Sequence, residues 1–126
     1  NRFTFNNATG PARQYLNDIF AFNVALYPFQ VDLFYNRSPS RSVMQQLLST
    51  LTAVKRDFAT QTWPVSTRSA VRDDVREVEL YLKMYRAFSK APAPLNMMEL
   101  NRLGALNRKN EPIANTLRRK LGLPPI

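Results

Sequence analysis

Four carboxylates crowd one short stretch of the chain: Asp73, Asp74, Glu77 and Glu79. On a helix, Asp73 and Glu77 are neighbours one turn apart, and such a pair could bind a cation or carry general acid–base work. Arg72 and Arg76 are interleaved with them at pairing distance. The same residues therefore also read as a solvated helix start whose negative charge suits the helix dipole, and that is the reading we adopt. The rest of the chemical inventory is short. Cysteine and histidine are both absent from the 126 residues. That excludes disulfides, zinc sites of the Cys/His kind, Ser–His or Cys–His nucleophilic catalysis and histidine proton transfer. With 3 glycines and neither GxxxxGK[ST] nor GxGxxG, no phosphate-cradling loop is expected. The expectation is a protein that is not an enzyme, with no catalytic, cofactor-binding or metal-binding residue.

Cations dominate instead. Lys and Arg number 18 against 9 Asp and Glu, for a formal net charge of +9, and 13 of those cations are arginine. Arginine donates several hydrogen bonds from a planar fork and suits phosphate, carboxylate and aromatic faces. A charge this high implies an acidic counterpart, whether nucleic acid, an anionic membrane surface or an acidic protein face. Residues 1–36 are neutral overall, and the surplus grows toward the C-terminus. Arg102, Arg108, Lys109, Arg118, Arg119 and Lys120 form the densest late group. A helix dipole accounts for Arg118, Arg119 and Lys120 at a helix end, but not for the other three, so the group is the candidate docking face.

Aromatics are distributed the other way, with 9 of 14 falling in residues 1–36. Tyr15, Leu16, Ile19 and Phe20 share one helical face and read as core. Phe3 and Phe5 precede any helical period and are candidate contacts to a partner chain.

The elements that must position these groups are helical. Residues 1–10 read as an extended arm and residues 11–126 as one helical-bundle domain. A first helix is expected from Pro11 to about Tyr27, stopped by Pro28, with 28–37 as a loop. Ser38-Pro39 opens a second helix whose stripe of Val43, Met44, Leu47, Leu48, Leu51, Val54 and Phe58 runs toward Gln61. Trp63-Pro64 marks a turn, and Ser66 or Thr67 caps a third helix with a seam of Val71, Val75, Val78, Leu82 and Tyr85. Pro92 and Pro94 break the chain. Asn96 and Glu99 make a capping box for a short fourth helix that Gly104 ends or interrupts. A short fifth helix follows Pro112 and stops at Gly122. The fold class is all-α, a small up-and-down bundle of four to five helices.

No segment has the run of about 20 apolar residues that crosses a bilayer. The chain opens at Asn1 rather than Met, which reads as a processed form or part of a longer precursor. Thr62-Trp63-Pro64 leads into a long arginine-bearing helix with Tyr81-Leu82, which ends at Ser89-Lys90-Ala91-Pro92. This stretch resembles the PsbQ-type extrinsic subunits of photosystem II. The resemblance implies a basic four-helix bundle without a cofactor, a chloroplast thylakoid-lumen address, and a stabilising role on the oxygen-evolving complex. The expected function is thus a non-enzymatic accessory subunit of a large assembly, docking an acidic protein surface through its basic face and its aromatic arm. The alternative is an RNA- or DNA-associated structural protein of ribosomal or nucleocapsid type, its arginines on phosphates. No helix-turn-helix, zinc-finger, RNP or GXXG pattern supports that alternative. A membrane-surface role ranks last, because no helix sets a lysine-rich face against a bulky apolar one.

Overall fold

Apolar residues recur every three or four positions along four long stretches, and each stretch forms a helix that buries its stripe. A computed structural model describes residues 8–90 and 95–126. It consists of α1 (Gly10–Phe34), α2 (Arg41–Thr60), a 3-10 turn (Val65–Thr67), α3 (Arg68–Ser89) and α4 (Met97–Lys120), with no strand among the described residues. Phe3 and Phe5 of the expected arm lie outside the described residues, as do Pro92 and Pro94. Ala8 is buried, and α1 begins at Gly10, one residue before the expected Pro11.

Two helix starts and two helix stops follow local chemistry. The Ser40 hydroxyl accepts from Val43 N–H at 3.1 Å and caps α2, two residues beyond the expected Ser38. Asn96 and Glu99 form a reciprocal capping box on α4, at 2.9 and 3.0 Å. Gly122, at φ 74, closes α4 by donating to the Arg119 carbonyl, while Leu123 N–H reaches the Arg118 carbonyl at 2.8 Å. Asn36 closes α1 in the same way from φ 52, a left-handed position asparagine tolerates. Thr67 does not cap α3: its hydroxyl donates to the Pro64 carbonyl at 2.7 Å and holds the 3-10 turn instead.

Two expected breaks are absent. Pro28 does not stop α1, which continues to Phe34, and Pro112 does not separate a fourth from a fifth helix; both lie inside helices. A mid-helix proline costs about 3 kcal/mol through a lost hydrogen bond and a clash. Both prolines are exposed, and so are Val24 and Arg108, the residues whose carbonyls they orphan, so water can satisfy those groups. Opposite Pro28, Phe29 is fully buried with Leu33 packed beside it, and burying such side chains contributes about 1.5–3 kcal/mol each. Opposite Pro112, the Leu103, Leu106, Ala114 and Leu117 stripe is continuous and outweighs the proline and Gly104 together.

α1 packs on α2, α2 on α3 and α3 on α4. Tyr15 near the start of α1 stacks 5.8 Å from Phe58 near the end of α2, so these two helices run antiparallel. Tyr81 meets Asn107 and Ser66 meets Lys120, so α3 and α4 do too. Phe29 of α1 reaches across the centre to Tyr85 and Phe88 of α3, at 5.4 and 6.4 Å. α1 and α3 are therefore diagonal partners, and their outer faces look away from each other.

Candidate docking site

The clustered carboxylates take a different place from the solvated helix start expected of them. Asp74 and Glu77 are buried, while Asp73 and Glu79 are exposed. Asp74 sits three residues after Val71 and four before Val78, on the seam itself. Burial, and next the charge of Glu77, push its carboxyl up to about 6. Glu77 reaches Lys109 Nζ at 3.3 Å through one carboxylate oxygen, and its Oε2 has no hydrogen-bond partner. Between α1 and α4 a cleft of about 500 Å³ opens toward this region, with Tyr15, Asp74, Tyr81, Asn107 and Arg118 among its lining. The Tyr81 hydroxyl donates to Asn107 Oδ1 at 2.6 Å, and burial raises both Tyr15 and Tyr81 to about 12. Both phenols are protonated at neutral pH, and the Tyr81 hydroxyl is placed to donate. Among the described residues no group of three acidic side chains is placed to hold a metal ion.

The six late cations do not gather into one patch. Lys109 pairs with Glu77, and Lys120 donates to the Ser66 carbonyl at 3.2 Å, tying the end of α4 to the start of α3. Arg118 donates to the Pro124 carbonyl at 2.6 Å and lies 5.7 Å from the Tyr15 ring centre, so it closes the tail over the cleft. Arg102, Arg108 and Arg119 remain exposed without an ion pair among the described residues. Arg102 and Arg119 stand about 25 Å apart along the helix.

A denser cationic surface lies on α3. Arg68, Arg72, Arg76, Lys83, Arg86 and Lys90 are all exposed, and helical geometry places them within about a quarter of the circumference. The row runs the length of the helix, roughly 33 Å. Its one interruption, Glu79, is neutralised by Lys55 of α2 at 3.5 Å. Arg76 pairs with Asp73 at 3.5 Å, while the other five cations of the row make no ion pair among the described residues. Beside its first half lies an open groove of about 770 Å³, bordered by Trp63, Arg68, Arg72 and Arg76. Trp63 is itself fixed: its indole donates to the Phe58 carbonyl at 2.8 Å and its ring packs edge-on to Phe58. The row's spacing is legible in the sequence. The pairing rule masks it, because Arg72 and Arg76 also stand at pairing distance from the acids between them.

Comparison with protein-family models, with curated proteins and with solved structures gives no match.

Proposed function

We propose that the chain is a non-enzymatic accessory subunit that docks a large assembly through a basic helical face, with α3 as the gripping element. The observation that carries this reading is the exposed row from Arg68 to Lys90 on a helix whose other side is buried in the core. Holding unpaired cations side by side raises the local potential, and an acidic surface relieves it. An acidic protein face is favoured over nucleic acid. The row contains no aromatic side chain on which bases could stack. Arg102, Arg108 and Arg119 extend the same charge on α4, and Phe3 and Phe5 supply apolar anchors. The PsbQ-type resemblance would make the partner the lumenal face of photosystem II.

Fluorescence titration with polyglutamate and with poly(U) RNA, across a salt series, tests the reading. Polyglutamate should bind at low salt and dissociate toward 1 M, where screening shortens to about 3 Å. The triple variant R72Q/R76Q/R86Q should weaken binding at least tenfold, and R102Q/R108Q/R119Q less than threefold. Micromolar binding to poly(U) with a steep log–log salt slope, and none to polyglutamate, would transfer the function to nucleic acid. Binding to neither would refute it. Rebinding to salt-washed photosystem II membranes tests the narrower assignment.

A further inference from the structure

The outer face of α1 carries a second apolar seam. Phe20, Val24, Tyr27, Val31 and Phe34 recur at intervals of four and three residues, the spacing of a helix that packs on another helix. The inner seam of Tyr15, Ile19, Phe22, Leu26, Phe29 and Leu33 already packs the bundle core, so the second seam is not needed for packing among the described helices. It is open to water: Phe20 is 65% exposed, Val24 58%, Tyr27 66% and Phe34 81%. A helix apolar on both sides is ordinarily buried on both. These side chains, with the neighbouring Tyr35, leave on the order of 600 Å² of apolar surface in solvent, near the ~800 Å² per partner of a stable interface.

We propose that a second copy of this chain covers that seam, through an antiparallel, two-fold pairing of α1 with α1. Three features select this occupant. First, aromatic and valine positions alternate along the seam. In an antiparallel pair Phe20 meets Val31 of the other copy and Tyr27 meets Val24, so large side chains face small ones from Phe20 to Val31, and Phe34 falls opposite Asn17 at the edge of the contact. Such a pattern is complementary to itself. Second, the five seam residues are uncharged and the stretch from Asn17 to Phe34 contains no lysine or arginine; its two acids are engaged elsewhere, Asp18 beside Asp57 of α2 and Asp32 with Arg37, whereas the chain as a whole carries +9. Two such chains repel one another through most of their surface, and this neutral face is where they can meet. Third, α1 and α3 are diagonal in the bundle, with Phe29 meeting Tyr85 across the core. Pairing through the outside of α1 therefore leaves both cationic rows on the far sides of the pair, well separated and free to dock.

The pairing is independent of the acidic-partner reading, because salt acts on the two in opposite directions. Screening weakens docking on an acidic surface and strengthens association of two like-charged chains. The test is sedimentation equilibrium of the full chain from 1 to 100 μM at 0.1 and 0.5 M NaCl. The expected result is a species of twice the 14.5 kDa protomer, more populated at higher salt. Tyr27→Glu should weaken association at least tenfold with the far-UV circular dichroism unchanged. Phe34→Ser, at the most exposed position of the seam, serves if the first variant loses helicity. A chain that stays monomeric to 100 μM at both salts overturns the proposal, and so does a dimer that both variants leave intact.

Discussion

The outer faces of α1 and α3 obey the same helical repeat and carry opposite chemistry. On α1 the recurring residues are Phe20, Val24, Tyr27, Val31 and Phe34; on α3 they are Arg68, Arg72, Arg76, Lys83, Arg86 and Lys90. Their inner faces are alike, aromatic and aliphatic, and meet across the centre of the bundle. Core packing thus explains one side of each helix and leaves the other side free to vary. What varies is how each face would meet a partner: water exclusion on α1, and charge on α3, with salt moving the two in opposite directions.

The contrast between inner and outer face is sharpest on α1. Replacing buried Phe29 by Ala should lower stability by about 3–5 kcal/mol in urea unfolding, whereas Phe34→Ala should change it by less than ~0.5 kcal/mol in the monomer. Equal losses at the two positions would mean that the outer seam is packed in the isolated chain. A smaller effect probes the exposed edge of the same helix. Pro28→Ala restores one helical hydrogen bond without touching the core, and should raise stability by about 1–3 kcal/mol. A loss instead would show that Pro28 is needed to seat Phe29.

The smallest effect is a pH dependence, and each of the two helices contributes one carboxyl to it. Asp18 of α1 is pushed up to about 7 by burial and by its neighbour Asp57 on α2, against the opposing charge of Arg56. Asp74 of α3 is raised to about 6. Both start from an ordinary value of 3.8, so between pH 4 and 7 the folded chain holds more protons than the unfolded one. Their contribution is therefore greatest at the acidic end of that window and is lost as pH rises through 6 and 7. Melting followed by circular dichroism should show a midpoint a few degrees higher at pH 5 than at pH 7.5. Asp18→Asn, which mimics the protonated acid, should flatten part of that rise. A midpoint that falls on acidification would contradict the assignment.

Much of the architecture is readable from spacing and capping chemistry. The stripe of α2, the Asn96–Glu99 box and the Gly122 stop all act within a turn of the residues concerned, so local rules find them. Pro28 and Pro112 escape local rules for the converse reason. A proline's cost is local, but the compensation comes from Phe29 and Leu117, whose partners lie on other helices. Asp74 and Glu77 looked solvated because acids at a helix start usually are; the place of Asp74 between Val71 and Val78 was the signal that one of them enters the seam. The six late cations are dense along the chain but not in space. A helix spreads neighbours in sequence around its circumference, whereas residues four apart, like Arg68 and Arg72, share a side.

The bundle is closed along three seams and open along the fourth, where α1 and α4 face each other across the cleft. Each helix therefore finds its main partner next to it in the chain. Few distant segments must find one another before the core consolidates, so loop-closure entropy is small and hairpins of adjacent helices can form early. A chain of this topology is expected to refold in milliseconds or less, with α4 able to add last along the edge that α3 provides.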